Sequence, residues 1–375
     1  MKTITIIGGG IIGMTLAVYL DPTQYEVTVV DQHIGQATSA SAGIISPWLS
    51  KRRNKKWYHL AQDGAAFFEK LVKDFALDRR IYAPSGTLIL RPEEELLALA
   101  ALAESRKKAA PEIGEIQLLN RTQTKQALPL LKARPTLFIS GGGRLDGRAY
   151  LLHIREIAKQ RNVQFIEGKA MIQKYSGSWD VLVNGQSLHS DILCLTAGPG
   201  VHGLLAPLGY QVDVRPQKGQ LLSFATPFKT DDWPVAMLAG EGDLIPFANG
   251  NILLGATHEN DAKWDLTPTQ AAKQQLMTGI HDFLEEPNLL YQTPLSFRVG
   301  TRAYTSDFAP FFGDVSGQGI LYAASGLGSS GLTTGPYIGY LLASSFNQSG
   351  QQRADFSQYS KPVSDYVRKI SPSSH

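Results

Sequence analysis

The chain is poor in thiols. Cys194 is the only cysteine in 375 residues, which excludes an intramolecular disulfide and any cysteine-rich metal site. Its eight histidines are scattered without metal-ligand spacing, so no metal is expected. Long apolar runs are missing too. The one early run, Ile4 to Ile12, is short and broken by glycines, which makes it a first strand and not a signal peptide, and nothing later approaches an integral membrane segment. A net charge of +3 is far from the basic stripe of a dedicated nucleic-acid binder, so DNA is not an expected partner. There is no Ser-His-Asp elbow, no Walker lysine and no catalytic cysteine signature, which ranks hydrolases and nucleotide-phosphate enzymes low. What remains is a globular protein of about two domains' length, with the cytoplasm as default compartment. Its 43% hydrophobic content can fill a sizeable core.

What the chain does have begins at its third residue. Thr3 to Ile7 is rich in β-branched side chains and predicts a buried strand. Gly8, Gly10 and Gly13 follow at G-x-G-x-x-G spacing, with Ile11 and Ile12 inside the turn, and Met14 to Leu20 continues as a helix. Gly8 permits the turn, Gly10 lets the backbone approach a pyrophosphate, and Gly13 lets the helix pack on the strand. The helix N-terminus offers its free N–H groups to the phosphates. A second strand, Glu26 to Val30, ends at Asp31, where a carboxylate can accept hydrogen bonds from an adenosine ribose. Together these predict a bound dinucleotide, NAD or FAD alike. The alternative is a glycine-rich turn with a solvated Asp31.

The hydroxyl-rich loop Gln36 to Ser46, holding Thr38, Ser39, Ala42 and Gly43, suits either a phosphate or flavin edge or an ordinary helix-capping role. The basic run Lys51 to Lys56 is either a solvated loop or helix start, or an electropositive approach for anionic substrates or a membrane surface. Helices are predicted over Tyr58 to Asp74, Glu93 to Lys108 and Tyr150 to Gln160, and a hairpin from Ile81–Ala83 and Thr87–Leu90 about the turn Pro84-Ser85-Gly86. Gly141 to Gly143 read as punctuation. The apolar strand Ile192 to Thr196 runs into Gly198, where the backbone either approaches a cofactor or makes a tight turn. Short strands from Val214 to Arg298 predict a second sheet, completed by Pro84 to Leu90. Near the end, the strand Ile320 to Ala324 leads through Gly326, Gly328, Ser329, Ser330, Gly331, Leu332 and Thr333 into a helix through Leu342. A second helix N-terminus near the first suits a long cofactor with phosphates at one end and a ring that gains charge on reduction at the other. A plain Gly/Ser loop before a helix is the alternative. The polar tail after Ser345 is expected to fray.

These motifs resemble the FAD-dependent D-amino-acid oxidase family, most closely its bacterial glycine-oxidase and deaminating-dehydrogenase branches. The match runs from Gly8 to Pro336. It rests on the glycine fingerprint with Asp31, Thr38-Ser39-x-x-Ala42-Gly43, Pro216-x-x-Gly219-Gln220, Gly255-Ala256-Thr257, Arg302 with Asp307, Pro310 and Gly313, and the loop from Gly326 to Pro336. The resemblance implies an α/β fold, a Rossmann-like FAD-binding domain (1–78, 145–214 and 301–375) interleaved with a mixed-sheet α+β substrate domain (79–144 and 215–300). It also settles the cofactor as FAD, held without a covalent bond because Cys194 lies in a buried strand.

By the same resemblance, Arg302 clamps the substrate carboxylate, as a guanidinium fork can; Arg298, four residues earlier, competes for the role. One position departs. Where the family members in view carry a tyrosine that helps hold the carboxylate, this chain has Asp243, which would repel a carboxylate unless protonated yet can pair with a substrate ammonium. Tyr304 is then a candidate for the missing hydroxyl. The expected activity is oxidation of a small amino acid (a D-amino acid, glycine or an N-substituted glycine) by hydride transfer from the α-carbon to flavin N5, with O2 or a quinone as electron acceptor and homo-oligomers allowed. The rivals are a quinone-linked amino-acid dehydrogenase at the membrane surface, a flavin-dependent RNA-modification module, and a non-catalytic flavoprotein.

Overall fold

The computed structural model describes residues 1–52, 54–175, 178–240, 242–348 and 355–370. Arg53 of the basic run and residues 349–354 and 371–375 of the polar tail lie outside the described residues.

Side chains alternate across the first strand, Lys2–Ile7. Ile4 and Ile6 join one core with Val27, Val29 and Cys194, and Ile7 joins another with Val30, Leu193 and Leu195. A strand apolar on both faces belongs at the centre of a covered, parallel sheet. That sheet has six strands in the order Phe311–Asp314, Leu321–Ser325, Ile192–Leu195, Lys2–Ile7, Tyr25–Asp31 and Gln164–Glu167. Only the edge pair Phe311–Asp314 and Leu321–Ser325 is antiparallel. Helices Ile11–Tyr19, Lys55–Phe75, Gly147–Gln160 and Gly331–Asn347 cover one face. A three-stranded sheet of Met171–Tyr175, Ser178–Val183 and Gln186–Ser190 covers the other, through Ile172, Trp179, Val181 and Val183.

The second large sheet has eight strands: Leu295–Tyr304, Arg215–Ala225, Asn251–Gly255, Asp243–Pro246, Val235–Met237, Thr87–Ile89, Thr136–Ile139 and Ile116–Leu119. Leu222, Phe224, Ile252 and Leu254 pack toward Leu276 and Ile280 of helix Gln270–His281. Leu221, Ile245 and Leu253 face the other way, toward Ala42 and Ile44 of the first unit. The fold is therefore a Rossmann-like α/β unit interleaved with a mixed sheet, and the functional cavity opens between them.

Two expectations fail for identifiable reasons. Tyr82–Ala83 and Thr87–Ile89 do not form a hairpin: Tyr82–Ala83 pairs with Gly143–Leu145 in a small sheet, and Thr87–Ile89 lies between Val235–Met237 and Thr136–Ile139. Thr87–Ile89 is buried throughout and needs a partner on each side. Gly86, at φ +78°, turns the chain from one sheet to the other. The tail, where described, is not frayed. Val367–Lys369 pairs with Tyr210–Val212, Tyr366 stacks on Phe311 with ring centroids 5.0 Å apart, and the Tyr359 hydroxyl donates to Asp63 at 2.6 Å. Among the described residues no helix is long and apolar enough to cross a membrane.

The helix Lys55–Phe75 touches the start of Gly331–Asn347 at Gly64, where an added Cβ would lie 2.5 Å from the Thr333 carbonyl oxygen. The substitution Gly64→Ala should force the two helices apart and destabilise the apoprotein by ~1–3 kcal/mol. A fall in the urea midpoint is the expected result; an unchanged midpoint would show that the helices part without cost.

Candidate active site

The cavity between the two units has a volume of about 510 Å³ and runs as a trough. Gly168, Ala170 and the helix residues Arg148 and Arg155 line it together with the Gly8–Gly10 turn, and Arg302 and Asp243 line the wall that the eight-stranded sheet supplies.

The glycine turn is built by close backbone approach. Gly8 sits at φ +113°, and a Cβ on Gly13 would fall 2.0 Å from the Gly8 carbonyl oxygen. Gly13 thus packs the helix onto the strand and does not itself line the trough, whereas Gly8, Gly10, Ile11 and Ile12 do. Helix Ile11–Tyr19 has no acid in its first turn and no side-chain bond from its N-cap, Gly10. The Ile11 N–H donates to Thr38 Oγ1 at 3.0 Å. Positive dipole potential at this terminus is left facing the trough. Asp31 lines it as well, but its carboxylate is partly engaged: one oxygen accepts the Gly9 N–H at 2.6 Å and the other the His33 N–H at 2.7 Å. Thr38, Ser39, Ala42 and Gly43 continue this wall.

A second wall comes from strand ends far along the chain. Gly198 lines the trough with its carbonyl held by Ser325 Oγ at 2.8 Å, and a Cβ there would meet nothing within 4 Å. Gly326, Gly328, Ser329, Gly331 and Leu332 lead into helix Gly331–Asn347, whose first turn also lacks acids and a side-chain cap. Ser330 and Thr333 point elsewhere. Ser330 Oγ accepts from Trp57 Nε1 at 3.1 Å, and Thr333 Oγ1 donates to the Ile44 carbonyl at 3.3 Å. These two bonds fasten the loop to its neighbours.

Arg302 and Arg298 share a face of the strand Leu295–Tyr304, yet only Arg302 lines the trough. Arg298 reaches Asp146 at 3.4 Å, beside the carboxylate oxygen that caps helix Gly147–Gln160. The Arg302 guanidinium lies against Gly219, where a Cβ would come within 2.6 Å of Nη2, and Nη1 donates to Gln217 Oε1 at 3.2 Å. Among the described residues no carboxylate pairs with Arg302. Burial lowers its pKa, while Tyr304 pulls the other way. Tyr304 is only 5% exposed and does not line the trough; it stands behind, its ring under Gly328 and edge-on to Phe308. A directly offered substrate hydroxyl is therefore not what this placement supplies.

Asp243 opens on the same cavity, together with Ala256 and His258. Its Oδ1 accepts the Leu238 N–H at 3.0 Å. Burial pushes its carboxyl up to about 7, against the opposing pull of that N–H and of Arg91. Nothing in the motifs pointed to His258, Trp264 or Arg148 as lining residues. They lie on a loop and a helix without a glycine signature, and only the folded chain brings them to the trough.

In the basic run Lys51, Arg52 and Lys55 are exposed, and Asn54 and Lys56 are half-buried. Arg52 lies over the Trp57 ring, 4.6 Å from its centroid, and reaches Ser329 Oγ at 3.4 Å, while Lys56 Nζ donates to the Ser357 and Ser360 carbonyls. Asn54 caps the helix Lys55–Phe75 by accepting the Trp57 N–H.

Two helix N-termini without acids in their first turns, opening on one cavity between a Rossmann-like unit and a mixed sheet, are the features of a dinucleotide-binding α/β protein. The sequence pattern of the FAD dependent oxidoreductase family, DAO, matches residues 3–345, and the chain belongs to that family. It is 36% identical over 356 residues to the uncharacterised oxidoreductase YurR of Bacillus subtilis, covering 92% of this chain and 94% of that one. It is 27% identical to the glycine oxidase of Pseudomonas putida, covering 89% and 92%. The crystal structure of iminodiacetate oxidase from Chelativorans sp. BNC1 superposes with a TM-score of 0.88 at 28% identity, covering 95% of this chain and 98% of that one. FAD is the family's cofactor, and the trough fits it: neither helix has an acid in its first turn, and Asp31 stands beside the glycine turn, where a ribose would meet an acceptor. The only thiol, Cys194, is 1% exposed within its strand, and burial raises its pKa.

Because Asp243 holds its proton more tightly when folded, its contribution favours the native state most at low pH and is lost as pH rises through about 7. Replacing it with a neutral isostere removes that dependence. The melting temperature of the Asp243→Asn apoprotein relative to wild type should therefore rise by a few degrees between about pH 5 and about pH 8. A difference that stays constant across this range would argue against a buried, proton-retaining carboxyl.

Proposed function

We propose that the protein oxidises the amine of a small amino acid or N-substituted glycine to an imine, which water then hydrolyses. The observation that carries this reading is Arg302: a half-buried guanidinium whose pKa burial lowers, with Gln217 as neutral partner, no carboxylate pair among the described residues, and its guanidinium against Gly219 in the trough wall. A desolvated cation of this kind calls for a carboxylate supplied by the substrate. The names of the relatives, glycine oxidase and iminodiacetate oxidase, support a substrate with a carboxylate next to an amine.

FAD, when bound, supplies a two-electron acceptor at the end of its ring system. The chain's own residues then have separate tasks. Arg302 orients the carboxylate, and Asp243, in the same cavity, accepts a hydrogen bond from the amine as its carboxyl ionises. The turn residues Gly8, Gly10, Ile11, Ile12, Thr38 and Asp31 hold the phosphate and ribose end of the cofactor. Gly326 to Leu332 present backbone N–H groups and a helix dipole to the other end, favouring the reduced form. Asp243 in place of a hydroxyl directs the choice toward substrates with a basic amine and away from those with a second negative group beside it. On the same reading the chain divides at 78/79, 144/145 and 214/215. The last boundary falls after Tyr304, since the strand Leu295–Tyr304 pairs along its whole length with Arg215–Ala225.

Anaerobic addition of glycine, sarcosine, iminodiacetate, L-proline and D-amino acids to the purified flavoprotein should bleach the oxidised-flavin absorbance for at least one amine-bearing carboxylate. No bleaching by any of them would sink the proposal. Peroxide formed on readmitting air separates O2 from a quinone as acceptor. For the best substrate, Arg302→Ala should lower kcat/KM by roughly two powers of ten or more. Arg302→Lys should recover only part, since an ammonium cannot make the bidentate contact. Equal kcat/KM in all three proteins would remove Arg302 from the substrate site.

A further inference from the structure

The loop between the strand Asn251–Gly255 and the helix Gln270–His281 belongs to the eight-stranded sheet but reaches over to the Rossmann-like unit. It is tied down at many points. Gln220 exchanges backbone bonds with Thr257, the Thr257 N–H reaching the Gln220 carbonyl at 3.1 Å and the Gln220 N–H reaching Thr257 Oγ1 at 3.0 Å. Lys218, only 1% exposed, donates to the Thr267 carbonyl at 2.6 Å and lies 3.4 Å from Asp265. Gln217 Nε2 donates to Asn260 Oδ1 at 2.8 Å, and Thr301 Oγ1 to the Lys263 carbonyl at 3.4 Å. So firmly footed a loop holds its apex in a defined place.

At that apex is Trp264, 41% exposed and a lining residue of the trough. Its indole stands between two glycines on separate walls. A Cβ on Gly35 would lie 3.5 Å from Cζ3, and one on Gly200 would lie 3.9 Å from Cη2. Gly35 follows the strand Tyr25–Asp31 and Gly200 follows Ile192–Leu195, the two strands that flank Lys2–Ile7 and its glycine turn. The same edge of the indole, through the neighbouring atoms Cζ3 and Cη2, therefore touches the segments that follow both strands. Trp264 joins none of the protein's apolar clusters. Ile34 and Leu152, 52% and 62% exposed, line the same trough from two other elements. Three large apolar side chains thus converge on a cavity and lack protein partners that cover them.

We propose that Trp264 is a cofactor-retaining residue: its loop straps the indole across the trough so that it covers bound FAD near the glycine turn and slows the release of a flavin that no covalent bond holds. The inference needs the family's cofactor and not the amine-oxidation reading, and its test contains no substrate.

Apoprotein is titrated with FAD, and the rate of flavin release is followed after dilution into a flavin-binding scavenger, for wild type, Trp264→Ala and Trp264→Phe. Thermal melting of each apoprotein serves as the folding control. The expected result is a dissociation constant raised roughly tenfold or more for Trp264→Ala, with faster release, an intermediate Trp264→Phe and similar apoprotein melting temperatures. An alanine variant with wild-type affinity and release rate, or a phenylalanine variant as weak as alanine, overturns the proposal. So does a loss of affinity matched by a collapse in apoprotein melting, because the ring would then act through loop folding and not through contact with the flavin.

Discussion

The structure depends on one close approach, the packing of helix Ile11–Tyr19 against helix Gly331–Asn347. A Cβ on Gly335 would lie 2.5 Å from Ile11 Cγ2, and one on Gly339 would lie 2.8 Å from the Ile12 carbonyl oxygen. Backbones can come this near only where side chains are absent. The approach brings the N-termini of both helices onto one trough, although more than three hundred residues separate them in the chain. Neither helix has an acid in its first turn or a side-chain bond from its own N-cap residue, and at the first only the Ile11 N–H is met, by Thr38 Oγ1. An electron-rich, phosphate-bearing cofactor is what such a pair of dipoles suits, and the family's FAD meets that requirement.

The second sheet works by a different principle. Alternation along Arg215–Ala225 sends Gly219 and Leu221 toward the trough and Lys218 and Gln220 away from it. The outward pair is spent on a buried polar network with Thr257, Glu259, Asp265 and Thr269. Of the inward pair, Gly219 leaves room for the Arg302 guanidinium from the neighbouring strand, while Leu221 packs against Gly255. One strand therefore anchors the loop that carries Trp264 and seats the cation proposed to meet the substrate. Gln217 touches both, through Asn260 on one side and Arg302 on the other.

Much of this was legible in the sequence where the relevant physics is local. The β-branched run at Thr3 to Ile7, the glycines after it and the apolar helix follow from side-chain sterics within a dozen residues, and the structure has the strand, turn and helix there. The long helix around Tyr58 to Asp74 shows the apolar spacing that buries Leu60, Phe67, Phe68 and Leu71. Where the reading failed, partners were distant. The supposed hairpin at Ile81 to Leu90 has good local turn chemistry, but each half finds its mate far along the chain, Tyr82 opposite Leu145 and Leu88 opposite Phe138. The glycines at 141–143 do punctuate the chain, turning it from Thr136–Ile139, but they also open an unexpected strand, Gly143–Leu145, in which Arg144 is buried on the carbonyls of Trp233 and Asp231. A tail rich in polar residues pairs with Tyr210–Val212 because Tyr359 and Tyr366 find apolar and hydrogen-bonding seats on the main body.

By itself the sequence determined the elements that local conformational preference dictates: the glycine turn at Gly8 to Gly13, the bodies of the long helices, though Ile11, Lys55 and Gly147 start them three residues before the apolar spacing does, and the apolar strands that need cover on both faces. Only the tertiary structure decided which of Arg298 and Arg302 faces the trough, since Asp146 claims the first and Gly219 makes space for the second. It also put Tyr304 behind Arg302, Asp243 in the cavity and Trp264 across it. A side chain's role rests on which groups share its surroundings and how much water is excluded there, and those neighbours come from strand register and long-range packing that no window of the chain contains.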